Sequence, residues 1–434
     1  MKRLIGAVLV LLCLYPKSTV GQTISPEDAQ AWREDLRFMA QAMEKTHKNL
    51  YHAVSRDAFA AMVAALDAKI PTLARHEVIV EMAKIVAAVG DGHTNIYPTR
   101  DSKIGFHTLP VSFTFFDGDL YIRAAHGSHR ELAGAKVLRI GERTTAEAYA
   151  MVKTIIGHDN EYGAHYWAQY LLGIPEVLHA LRVTNTVSEI PIEVITADGR
   201  KRVTLHPLGP VEIMAGDTVR MFDRRPGWTD VRDLAGNRDP LWLQRTGDAF
   251  WFEHAGDVLY VQINQIANAE HETLAHFAER LRGEISRTAP EKVALDLRLN
   301  RGGNGDLNPA LVRALIQSQR IDRKGRLFAI IGPATFSAAQ MLLNALERYT
   351  NVTFVGEPSG SRGNAYGDSS KITLPHSGIT VRASLYYWQE WHPLDQRDAT
   401  MPSVPAPLTI DAYRANRDPA LEAIQHLPIP VDEK

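Results

Sequence analysis

A chain of 434 residues with 45% apolar and 23% charged content is long for one domain and predicts two or three. Its formal net charge of −2 gives no overall electrostatic reason to bind nucleic acid or an anionic membrane. The one cysteine is Cys13. It falls inside a leader-like run, so the mature chain would lack disulfides, thiolate metal ligands and a cysteine nucleophile.

Lys2 and Arg3 precede the apolar run LIGAVLVLLCLY, and small or polar residues follow from Ser18 to Gly21. The run is shorter than the roughly 20 residues of a membrane span. It predicts a cleavable signal peptide over residues 1–21, export to a periplasm or beyond, and no stable membrane insertion after cleavage. An uncleaved anchor is the alternative.

Residues 22–100 predict a helical domain. Ser25-Pro26-Glu27-Asp28 is a helix start, and Trp32, Leu36, Met39 and Met43 recur at helical spacing. A second helix carries Phe59, Met62 and Leu66. The third runs from about Glu77 to Val89 and stops at Gly90, with Asp91-Gly92-His93-Thr94 directly after it.

Residues 101–215 predict a β-rich domain, with hairpins turning at Asp117-Gly118-Asp119 and Asp198-Gly199-Arg200. Residues 216–248 have little periodicity and predict a linker or surface loop. From 249 to 434 strands alternate with helices, which argues for an α/β core with crossover connections.

Two turns in that core could carry chemistry. The apolar strand of VALDLRLNRGG runs into Gly302 and Gly303, and paired glycines let backbone N–H groups face open space. The strand RLFAIIG leads through PATF to Ser337, which opens the helix SAAQMLLNALERY. A serine at such a turn is either a helix N-cap or a nucleophile beside the free N–H groups of a helix start. There is no HExxH, no metal-spaced histidine pair and no P-loop, so no metal or other cofactor is expected.

The motifs DLRLNRGG, TFSAAQ, GEPSGSRGNAYGD and DGHT, with the tail SVPAPLTIDAYRANRDPALEAI, resemble the C-terminal-processing (tail-specific) serine peptidases. The nearer likeness is to the branch of tricorn protease and the interphotoreceptor-retinoid-binding-protein-like hydrolases. The resemblance implies a ClpP/crotonase-like α/β core and Ser337 as nucleophile. It also implies a PDZ-like reading of the β-rich segment, beside the plainer one of a small β domain. In the processing-protease branch a lysine about 25 residues beyond the serine is the base, and here that position is Arg362. A guanidinium stays protonated and cannot take the serine's proton. The tricorn-like branch uses a histidine in a DGHT-type motif, which here is His93.

That branch places a serine before the histidine and a glutamate near a C-terminal PD motif. Here Gly92 and the sequence MPSVPA stand in those places. Asp398, Asp395 and Asp368 are the candidates for orienting His93, and each could equally be a solvated carboxylate. The oxyanion hole would pair the Ala338 N–H with that of Gly302 or Gly303. Arg362 would suit a substrate carboxylate, or a structural ion pair.

The expected function is a secreted serine peptidase acting on peptide or protein substrates. A binding protein for apolar ligands on the same scaffold and a non-peptidase acyl hydrolase are the alternatives. The oligomeric state is left open, with a homo-oligomer among the options.

Overall fold

The computed structural model describes residues 24–98, 101–210, 222–236 and 238–429. The expected signal peptide, and with it Cys13, lies outside the described residues. No helix among the described residues is long and apolar enough to cross a membrane.

Three helices come first: α1 (Pro26–Thr46), α2 (Arg56–Lys69) and α3 (Arg75–Ala87). The Ser25 hydroxyl accepts the Asp28 N–H, and Ser55 does the same for Ala58, as expected of N-caps. α1 buries Trp32, Leu36, Met39 and Met43 along one stripe, the face predicted by their spacing. α3 is buried on nearly every side, and the turn after it reaches Gly90, whose φ of 85° is left-handed. The short strand β1 (Asn95–Ile96) follows the DGHT turn.

The β-rich segment holds β2 (Val111–Phe116), β3 (Asp119–His126), β4 (Lys136–Ile140) and β5 (Arg143–Thr144), then the helices α4 (Thr145–Lys153), α5 (Glu161–Leu171) and α6 (Pro175–Ala180), then β6 (Ile190–Thr196) and β7 (Gly199–Leu205). β2, β3, β4, β6 and β7 form one sheet in that order. The predicted hairpins are present, and Asp117 and Gly118 both take positive φ at the first turn.

The described part of segment 216–248 is tied into the molecule. β8 (Trp228–Asp230) pairs with β3, and Phe222, Arg232 and Trp242 are buried. Polarity hid this: Arg123 and Arg232 are both buried on the carboxylate of Asp230, and Arg232 also meets Asp239 at 3.5 Å, so two carboxylates balance the two cations.

The remaining elements are β9 (Phe250–Ala255), β10 (Val258–Ile263), α7 (Leu274–Thr288), β11 (Lys292–Asp296), α8 (Asn308–Gln317), β12 (Leu327–Ile331), α9 (Ala338–Tyr349), β13 (Thr353–Gly356), β14 (Asn364–Thr373), β15 (Thr380–Gln389), β16 (Val404–Pro405), α10 (Ile410–Arg414) and α11 (Pro419–His426). A six-stranded sheet runs β16-β13-β12-β11-β10-β9, parallel except for β9. β10, β11 and β12 are buried along their whole length, as a sheet covered on both faces requires. Leu259, Val261 and Ile263 face α7, α8 and α9, while Val258 and Tyr260 face α11. The expected α/β core, helical part and β-rich part are therefore all present.

One relationship positions the site. The hairpin β14–β15 leaves the α/β core and pairs with β1, so residues on either side of it share one hydrophobic cluster with the helices and the β-rich segment. Its anchoring brings the DGHT turn, far back in sequence, against the ends of β11 and β12.

Candidate active site

Ser337 sits between β12 and α9 on a turn fixed from below. Thr335 is fully buried; its hydroxyl donates to Leu297 O (2.9 Å) and accepts the Gly332 N–H (3.1 Å). The Phe336 N–H donates to Asn300 O at 3.1 Å. So held, Ser337 takes φ 57° and ψ −127°, a conformation that costs a non-glycine residue on the order of 1–3 kcal/mol. Its side chain does not cap α9. The hydroxyl instead meets His93: Oγ lies 3.0 Å from Nε2. The N-cap alternative is therefore not what this serine does.

The turn carrying His93 is built by carboxylates. Asp91 Oδ1 accepts the backbone N–H groups of His93 (3.0 Å) and Thr94 (2.9 Å) and the hydroxyl of Ser384 (2.7 Å). Its Oδ2 meets His47 Nε2 at 2.9 Å, both side chains being buried. Burial alone would raise the Asp91 carboxyl, but the bonds from His47, Ser384 and Thr94 outweigh it and hold it down at about 2. The Phe336 ring stacks on His93 with centroids 4.5 Å apart. Gly92 has no room for a side chain, since a Cβ there would lie 2.7 Å from the Phe336 ring and 3.1 Å from Asp159 Oδ1. A serine before the histidine, as in the tricorn-like pattern, does not fit.

Burial lowers the protonation of His93, opposed first by the charge of Asp159 and then by that of Asp91, while Arg301 works with burial. His93 Nδ1 is buried and makes no hydrogen bond. Asp398, Asp395 and Asp368 therefore do not orient it in this structure. Asp398 is exposed and pairs with Arg362 at 3.0 Å. Asp395 pairs with Arg397 at 2.8 Å. Asp368 stands exposed in the cleft with φ 52°. Each was suggested by its place in the sequence, and each has solvent or an arginine at hand, which satisfies a carboxylate without an imidazole. The same pair engages Arg362, the expected substrate-binding cation.

The glycine turn after β11 splits the two expected donors. The Gly302 N–H donates to Asn300 Oδ1 at 2.8 Å, so it does not point into the cleft. Gly302 has φ 104°, and a Cβ on it would stand 2.7 Å from Ser337 Cβ and 2.8 Å from Ala338 N. Gly303 forms a parallel bridge with Ile266, in which Gly302 O and Asn304 N make the bonds (2.9 and 2.7 Å). The Gly303 N–H is thereby turned away from Ile266. Ala338 is the first residue of α9, so its N–H has no partner within the helix. Gly303, Ala338, Ser337 and His93 all line one cleft of about 300 Å³.

Sequence reading missed Asp159, His47 and Ser384, which support these turns from outside the motifs, and Ser361, which lies inside GEPSGSRGNAYGD and holds Asp159. Among the described residues no group of three His, Cys, Asp or Glu side chains is placed to hold a metal ion.

No family model and no curated protein matches the sequence. Solved structures do match the fold. Mature CPAF aligns over 92% of this chain and 96% of its own, at 12% identity and a TM-score of 0.59. Mature CPAF complexed with lactacystin aligns over 92% and 97%, at 12% identity and a TM-score of 0.60. The photosystem II D1 C-terminal processing protease aligns over 92% and 97%, at 13% identity and a TM-score of 0.41, a likeness too remote to argue from. The chain has the fold of CPAF along nearly its whole length.

Proposed function

We propose that the chain is a serine peptidase that cleaves peptide or protein substrates by a Ser337–His93 mechanism. The observation that carries this reading is the 3.0 Å contact between Ser337 Oγ and His93 Nε2 on a serine held in a strained backbone conformation. Strain of that kind persists where the surroundings enforce it, as at a nucleophile. A carrier of apolar ligands would have no use for it.

In the reaction, His93 Nε2 takes the proton of Ser337 as Oγ attacks the scissile carbonyl. The oxyanion accepts from the N–H groups of Gly303 and Ala338, and Gly302 provides the close approach between the two turns. Collapse expels the amine, which takes the proton from His93, and leaves an acyl group on Ser337. Water then attacks that acyl group, gives its proton to His93 and releases the carboxylic acid, restoring the serine. Arg362 lies in the same cleft and would bind a substrate carboxylate by exchanging it for Asp398. The leader over residues 1–21 supports export, so the enzyme would work in a periplasm or outside the cell.

The test is incubation of the purified chain with peptides and unstructured proteins, with new termini identified by mass spectrometry. Cleavage that is lost in Ser337→Ala is expected. Hydrolysis of simple esters, with peptides and proteins left intact, would replace the peptidase reading with that of an acyl hydrolase.

A further inference from the structure

We infer, resting on the Ser337–His93 reading above, that Asp159 is the positioning residue for His93: it fixes the histidine turn and supplies the counter-charge for the imidazolium formed during catalysis. Asp159 belongs to the loop between α4 and α5 and is buried. Its two oxygens reach opposite walls of the site. Oδ1 accepts the Gly92 N–H at 2.7 Å, and Oδ2 accepts the Ser361 hydroxyl at 2.6 Å. One carboxylate therefore ties the residue before His93 to the residue before Arg362.

The loop around it has no freedom to drift. The Gly157 N–H donates to Asn95 Oδ1 at 2.8 Å, and a Cβ on Gly157 would fall 2.3 Å from Thr94 O. On the other side, Asn160 Nδ2 donates to the carbonyls of Ser359 (3.0 Å) and Asp398 (2.7 Å), while Asn160 Oδ1 caps α5. The carboxylate is thus held against the DGHT turn from both ends.

Among the described residues, the charged groups that act most on His93 are Asp159, Asp91, Arg301 and Asp368. Asp91 already serves three donors on one oxygen and His47 on the other. Asp368 is exposed, and water weakens its field. Arg301, stacked 4.0 Å over the Trp167 ring, opposes protonation of the imidazole. Asp159 is the buried carboxyl group that holds only one donor per oxygen. Burial raises it, while a charge on His93, the Ser361 hydroxyl and the Gly92 N–H oppose that rise, so the Asp159 anion and a positive imidazole favour each other. When Nε2 accepts the serine proton, Nδ1 already carries one, and the positive ring sits in a buried place. A nearby buried carboxylate is what such a ring requires.

Asp159→Asn keeps the size of the side chain and removes its charge. The readout is kcat and KM across pH on a peptide that the wild type cleaves. The expected result is a fall in kcat of roughly tenfold to a hundredfold with KM little changed, within the range of general acid–base contributions. The acid limb of the profile should also move to lower pH by about one unit, because loss of an anion makes the histidine harder to protonate. A purely structural role would lower activity without moving that limb. Asp159→Ser, a smaller neutral side chain, is run beside it so that one unfolded variant leaves the other to read. An unmoved acid limb in the folded variants, or unchanged kcat, overturns the role of Asp159. If the wild type shows no Ser337-dependent cleavage, it is the Ser337–His93 reading that fails.

Discussion

His93 Nε2 and Ser337 Oγ stand 3.0 Å apart although 244 residues separate them in the chain. The contact exists because β1, immediately after His93, pairs with β15, which leaves the core beyond Ser337. Base and nucleophile that share one proton transfer act as a unit. Ser337→Ala and His93→Ala should each lower kcat/KM by about a thousandfold or more, and the double variant should cost little beyond either. Steady-state kinetics on the three variants checks this; losses that multiply would mean that the residues do not share a step.

The Gly302 position sets the approach of the two turns. Alanine there would need φ 104° and would push its Cβ into Ser337 and the Ala338 N–H. Gly302→Ala should therefore displace the oxyanion site and reduce kcat about a hundredfold or more, with a smaller effect on KM. Kinetics combined with a thermal melt separates this from simple unfolding.

Asp91 links the site to acid stability. Its folded carboxyl is held at about 2, below the ordinary range of an aspartate. A depressed carboxyl contributes stability that is present above the unfolded pKa and is lost as pH falls through the folded one. Unfolding free energy should thus decline between about pH 4 and pH 2 in the wild type. Asp91→Asn should lose about 2 kcal/mol at neutral pH, and its own decline over that acid window should be shallower. Denaturant titrations at pH 7 and pH 3 measure both effects.

Arg362 and Asp398 form an exposed pair in and beside the cleft, and such pairs contribute little to stability. Asp398→Asn releases the guanidinium. KM for peptides with a free C-terminal carboxylate should fall severalfold, with no change for the same peptides amidated. Equal effects on both substrate forms would remove Arg362 from carboxylate recognition.

The helices, the parallel sheet and the two chemical turns were legible because each has a local cause. Ser25 and Ser55 cap, apolar residues fill both faces of β10 to β12, and Gly302 takes a φ that other residues avoid. His93 and Ser337 were legible through their motifs. The carboxylates behind them were not. Asp159 lies in a short polar loop whose composition is that of any solvated turn, and only tertiary packing buries it. Asp398, prominent by position, meets an arginine first. The donor choice at the glycine pair was equally hidden, since it turns on the side chain of Asn300. The hairpin β14–β15, which joins the two halves of the site, passed unread because its polar and glycine-containing sequence lacks a clear alternation.

The central claim is that Ser337 is a nucleophile activated by His93. Labelling the folded chain with a fluorophosphonate probe and locating the adduct by mass spectrometry tests it most directly, because such probes report an activated serine and need no known substrate. The account predicts an adduct on Ser337 in the wild type, none in Ser337→Ala, and a much slower reaction in His93→Ala. A folded wild-type chain left unlabelled at Ser337, or a His93→Ala variant labelled at the wild-type rate, would contradict it.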